Sequence, residues 1–201
     1  MSSTQDTFTL EAGPGTDIWK KPPTTNVWNA PVSHTSSGPL KKFKSARVSF
    51  WADWTERYDQ AGLLLVPKPE LSTASPPDKW IKTGIEFYMG KPQLSTVSCD
   101  RYADWSVSSL STIVDPTKGI TLEIVREGDE HGKSVWVYQL VLDADGKLKE
   151  KIPLREICWI FADENESDWV LEVSPLVARP EKKASDPLKV QFMQFEVEWA
   201  T

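Results

Sequence analysis

The 201-residue sequence contains no apolar run approaching the roughly 18 residues that a membrane-spanning helix requires. Positive charge is scarce: 23 Lys and Arg stand against 29 Asp and Glu, for a formal charge of −6 and a pI near 5.1. That balance argues against a polyanion held by counterion release, so neither nucleic acid nor membrane is an expected partner. Cysteine is nearly missing. Cys99 and Cys158 belong to no Cys-x-x-Cys pair, and both are expected as buried free thiols. The two histidines, His34 in a Ser/Thr-rich stretch and His131 between Gly128 and Gly132, have no ligating neighbours at metal spacing, so no metal is expected. Gly13-Pro14-Gly15 lacks the strand before it and the helix after it that a phosphate-binding loop needs, and no cofactor is expected. Met1 to Phe8 has neither a basic start nor an apolar stretch, which sets the expected location as the cytoplasm and leaves the Asn165-Glu166-Ser167 glycosylation pattern unused.

A long stretch of apolar residues at helical spacing is also absent, whereas period-two alternation is common, alongside ten tryptophans and fifteen prolines. Val48, Phe50, Ala52 and Trp54 alternate with Ser49 and Asp53, with Trp51 as the exception. Over Trp80 to Met89, Ile81, Ile85, Phe87 and Met89 share one face, and Trp80, Lys82, Gly84, Glu86 and Tyr88 the other. Ile120 to Arg126 and Ser134 to Leu140 read as a hairpin with a loose loop at 128–132, and Asp143 to Gly146 as a turn into Lys147 to Ile152. Leu154 to Phe161 and Trp169 to Val173 read as further strands. Lys189 to Trp199 is the longest alternating segment; Val190 and Phe192 fall out of phase with Met193, Phe195, Val197 and Trp199, which means either a bulge near Phe192 or an outward-facing Phe192, and the bulge is preferred. The Pro-rich stretches 13–31, 67–77 and 175–187 read as connections or edge pieces. Ten or more short antiparallel strands predict an all-β sandwich of two antiparallel sheets, as one domain over 1–201 with residues 1–40 as a peripheral N-terminal segment.

Three blocks in order, Tyr58-Asp59-Gln60-Ala61-Gly62-Leu63-Leu64-Leu65, Trp80-Ile81-Lys82-Thr83-Gly84-Ile85-Glu86-Phe87 and Asp104-Trp105-Ser106, resemble the DUF1349 family of concanavalin A-like proteins. Leu154 to Trp159, Trp169-Val170 and Ala178-Arg179-Pro180 are similar to the C-terminal half of its fungal regulation-of-enolase branch. The resemblance implies a jelly roll with a concave sheet face, a role in regulating carbohydrate metabolism, and a metabolic enzyme as partner. Cys99 to Ala103 replaces a short Thr/Ser link usual in the family.

Fold alone does not assign function, which has to come from the site. Trp80, Lys82, Glu86 and Tyr88 occupy the strand face opposite the apolar one, as do Trp51 and Asp53 on theirs, and the resemblance would bring Gln60, Asp104 and Trp105 to the same surface. Rings beside carboxylates and amides suit a sugar or another small polar ligand, with Trp80 and Tyr88 as stacking walls. The four-residue separation of Lys82 and Glu86, about 13 Å along an extended strand, keeps them from pairing with each other; Asp59 or Asp104 is the expected partner of Lys82, and Arg101, Arg155 or a ligand hydroxyl that of Glu86. Two functions stay open. One is a small-molecule or carbohydrate-binding protein; the other is an enzyme using Glu86, Lys82 or Asp59 for acid/base chemistry in the same pocket. The acidic run from Asp163 to Asp168 reads as a solvated loop.

Overall fold

The computed structural model describes residues 7–165 and 168–201. Its strands are β1 (Phe8–Ala12), β2 (Ile18–Lys21), β3 (Thr25–Trp28), β4 (Ser36–Pro39), β5 (Phe43–Ala52), β6 (Gln60–Pro69), β7 (Trp80–Tyr88), β8 (Lys91–Cys99), β9 (Ala103–Ser109), β10 (Ile120–Asp129), β11 (Gly132–Leu142), β12 (Leu148–Ile157), β13 (Trp169–Ala178) and β14 (Leu188–Trp199). Among the described residues helix is limited to short 3-10 turns. One six-stranded antiparallel sheet runs β1-β14-β5-β10-β11-β12, the other β4-β13-β6-β7-β8-β9, and β2-β3 forms a separate hairpin. This is a concanavalin A-like jelly-roll sandwich.

The main core fills the space between the sheets. The first sheet contributes Val48, Phe50, Leu122, Ile124, Val135, Val137, Phe192 and Phe195, and the second Leu63, Leu65, Ile81, Ile85, Leu171 and Val173. Phe87, expected in this core, is only half-buried at the end of β7. A second apolar layer covers part of the outer face of the second sheet. There Leu64, Val66, Trp80, Val97 and Leu176 pack against Ile18 of the hairpin, with Trp19 and Trp28 beside them. Burial on both faces explains why β6 reads Gly-Leu-Leu-Leu-Val without alternation.

Several local readings change. Residues expected as a peripheral segment provide an edge strand to each sheet, β1 on β14 and β4 on β13, and Ala12 and Leu40 are fully buried. Leu148–Ile157 is one strand rather than two: Pro153 is tolerated because β12 is an edge, and Leu154 is skipped in the pairing with β11. The expected loose loop at 128–132 is a tight turn, with Asp129 opposite Gly132 and the Asp129 carboxylate accepting the His131 N–H at 2.8 Å. Pro67 and Pro175 lie within β6 and β13; β4 pairs only with Val170 to Val173, so Pro175 is beyond that ladder.

The register of β14 shifts between Phe192 and Gln194, so Met193 is the bulged residue and Val190, Phe192, Phe195 and Val197 all face the core. Cys99 is buried, but Cys158 is exposed, since it follows the end of β12 at the surface. Within the acidic run Glu164 is buried between Arg126 and Lys133, and Asp163 accepts from Lys79 at 3.4 Å. These are paired carboxylates rather than solvated ones. Glu166 and Ser167, with the glycosylation pattern, lie outside the described residues. No helix among the described residues is long and apolar enough to cross a membrane.

Candidate functional site

The outer face of the second sheet, where the β2-β3 hairpin stops covering it, holds an open cleft of about 600 Å3. Alternation along β7 delivers Lys82 and Glu86 to its floor, and the same parity on β6 and β8 delivers Gln60 and Ser95. Both charged floor residues are buried, at 5% and 6% exposure. Lys82 Nζ donates to Gln60 Oε1 at 2.6 Å and to Asp17 Oδ1 at 3.0 Å, and it lies 5.7 Å from the Trp19 ring centre. The Gln60 amide donates to the same Asp17 oxygen at 3.2 Å. Glu86 Oε2 accepts from the Ser95 hydroxyl at 2.9 Å, and Ser95 in turn accepts from the Trp105 indole N–H at 2.9 Å. Burial pushes the Glu86 carboxyl above the usual carboxylate range; Lys82 and Ser95 pull it back, Asp17 pushes it further, and the net shift is upward.

Aromatic rings form the sides. Tyr58 and Tyr88 stack at 5.7 Å, and Trp105 stands edge-on to them at 6.2 and 5.2 Å. Trp19 meets Trp105 edge-on at 6.5 Å, and the Arg57 guanidinium lies 4.5 Å from the Tyr58 ring centre. Tyr58 adopts φ 69°, a left-handed conformation that costs a bulky residue free energy and persists only when its surroundings impose it. They do so through Asp59. Its carboxylate accepts the Thr55 and Glu56 N–H groups at 3.2 and 2.9 Å and two N–H groups of Arg179. Arg179 also holds the opposite wall, because its carbonyl accepts from Gly15 and Thr16 and its N–H donates to the Thr16 hydroxyl, next to Asp17.

The structure therefore brings Gln60, Lys82, Glu86, Tyr88 and Trp105 together and leaves five other expected residues outside. Trp80 shares the Lys82 face but is 1% exposed beneath Trp28, so the hairpin removes it as a stacking wall. Asp104 points the other way on β9, where it meets Arg155 of β12 at 2.8 Å across the open edge of the sandwich. Trp51 and Asp53 belong to the first sheet and the residues just after it. Asp59 is fully buried and committed to Arg179, which leaves Lys82 to Asp17 and Glu86 to Ser95 in place of the partners expected from sequence. Asp17, Trp19, Tyr58 and Arg179 are the residues that site reasoning missed. The pairing of an acid and an aromatic two apart in Asp17-Ile18-Trp19 was the available signal, hidden in a Pro/Gly-rich stretch. Among the described residues no three His, Cys, Asp or Glu side chains converge as a metal site.

Comparison with known proteins supports the same frame. The chain is 44% identical over 192 residues to an uncharacterised protein of Emericella nidulans, covering 95% of this chain and 86% of the relative. A solved Saccharomyces cerevisiae protein of unknown function superposes with a TM-score of 0.63 at 20% identity, over 100% of this chain and 97% of that one. A GH43 protein from Bacillus licheniformis superposes with a TM-score of 0.53 at 11% identity, over 94% of this chain and 32% of that one. These two likenesses concern the fold. The model of DUF1349, a family described as a protein of unknown function, matches residues 1–199, and the chain belongs to that family.

Proposed function

We propose that the protein binds a small carbohydrate or similarly polar metabolite in the cleft on the outer face of the second sheet. The observation that carries this reading is the combination of aromatic sides, Trp19, Tyr58 and Trp105, with a buried polar floor, Lys82, Glu86 and Gln60. Rings stack on C–H surface while fixed donors and acceptors meet hydroxyls. The volume suits one or two sugar rings. Regulation of carbohydrate metabolism in the cytoplasm, through contact with a metabolic enzyme, completes the proposal and is consistent with the family resemblance and the acidic surface charge. Titration calorimetry with D-glucose, D-galactose, D-mannose, D-xylose and xylobiose tests it. At least one should bind, and Trp105→Ala should weaken that binding at least several-fold. Heat-silent titrations of all five would overturn it.

Catalysis on the bound metabolite is a second reading, favoured by the buried Glu86 held by Ser95 and raised above the ordinary carboxylate range. Such a group is suited to donate a proton. Under that reading Glu86→Gln lowers turnover by roughly 10²-fold, whereas a purely binding site loses a few-fold in affinity.

A further inference from the structure

Between Lys82 and Glu86 the cleft floor drops into a pit of about 10 Å3, room for a single water-sized group, bounded also by Gln60 and Ser95. The pit exists because Gly62 and Gly84 face each other across β6 and β7. A Cβ on Gly84 would stand 1.8 Å from the Ala61 carbonyl oxygen, so the backbones approach too closely for any side chain to fill the space. Lys82 spends two of its three N–H donors on Asp17 and Gln60. The third has no acceptor among the described residues. Glu86 is acceptor-only when ionised, and no ion pair joins it to Lys82 within the described residues. A ligand atom seated between them meets a donor on one side and an acceptor on the other. A carbonyl satisfies only the first and an ammonium only the second; a hydroxyl satisfies both.

We propose that the ligand is a polyol or sugar that seats one hydroxyl in this pit, accepting from Lys82 and donating to Glu86, and that this hydroxyl determines specificity. The inference rests on the binding reading above and adds the functional group recognised. The carbon bearing the hydroxyl then lies beside Ser95 and Trp105, so that the adjacent C–H surface meets the indole.

The test uses the full chain and the tightest binder among D-glucose, D-galactose, D-mannose, D-xylose and xylobiose, together with each of its monodeoxy derivatives. One derivative should lose roughly 10- to 100-fold in affinity, the scale of hydrogen bonds to charged groups, while the others lose less than about threefold. Lys82→Met and Glu86→Leu, each of which removes the polar group altogether, should each erase that discrimination. A sugar that binds but shows no single sensitive position overturns the hydroxyl subsite and leaves the binding reading standing. Discrimination that survives in both folded variants also overturns the subsite. If none of the five sugars binds, the binding reading falls and the subsite with it. The derivative series needs no variant, so a variant that fails to fold does not remove the test.

Discussion

Arg179 and Asp59 meet side-on in the interior, Nε to Oδ1 at 2.8 Å and Nη2 to Oδ2 at 2.7 Å, with Asp59 entirely shielded from solvent. Arg179 Nη2 reaches the Thr55 hydroxyl at 2.9 Å as well, and Nη1 donates to the Asp186 carbonyl at 2.7 Å. One residue at the end of β13 therefore ties together the turn that positions Tyr58 and the loop that positions Asp17. Removing either charge strands the other in the interior. Arg179→Met should cost roughly 3–5 kcal/mol in urea unfolding. Arg179→Met combined with Asp59→Asn, which keeps an oxygen for the Thr55 and Glu56 N–H groups, should cost clearly less than the sum of the two single changes. Additive losses would show that the pair is not coupled.

Glu86 supplies a pH-dependent prediction. Its folded pKa lies above the value of about 4.3 expected in an unfolded chain, so the folded state holds the proton more tightly. Its contribution to stability is full below the unfolded pKa and is lost as pH rises through the folded one. Glu86→Gln removes that loss. The variant should melt at a higher temperature than the natural chain near pH 8, with the gap closing toward pH 4. A gap that widens on acidification would mean that the carboxylate is stabilised where it sits.

Thiol chemistry separates the two cysteines. Burial pushes the Cys99 thiol up to about 11, with Lys20 lowering it and Asp100 and Asp78 raising it, whereas Cys158 is exposed. The thiolate is the reactive form. Iodoacetamide at pH 7.5 on the folded protein should modify Cys158 and spare Cys99, as read by peptide mass analysis; equal labelling would contradict the burial of Cys99.

The bulge in β14 has an energetic signature. Phe192 is fully buried, 5.0 Å from Phe8 and 5.8 Å from Phe50 between ring centres, only because Met193 is looped out of the pairing. Phe192→Ala should cost roughly 3–5 kcal/mol, while Met193→Ala, at an exposed position, should stay within about 1 kcal/mol. The reverse order would place the bulge elsewhere.

Strands were legible wherever one face is buried and the other wet, as in β7, where alternation alone put Lys82 and Glu86 opposite Ile81 and Ile85. The same logic failed at Trp80, because alternation identifies a face but not what later covers it, and the hairpin that buries Trp80 comes from a Pro/Gly-rich stretch without periodicity. Trp51, the exception in its own strand, lies on the first sheet, and strand parity does not say which sheet a face belongs to. Asp59 looked like a proton carrier because a carboxylate beside an aromatic carries no mark in sequence of its partner, here 120 residues away. Asp17 escaped for the same reason, since its role is created by the long-range meeting of the 13–17 loop with Arg179.

On the proposed reading, ligand enters the cleft beside Trp19 and Trp105. With ten tryptophans in the chain, the indole N–H resonances report on every region at once. In a 15N-resolved NMR titration with the tightest-binding sugar of the panel above, indoles assigned by single Trp→Phe changes, the Trp105 and Trp19 signals should shift in a saturable manner. Those of Trp51 and Trp136 on the first sheet should stay in place. Saturable shifts confined to Trp51 or Trp136, with Trp19 and Trp105 unmoved, would contradict the assignment of the cleft as the binding site.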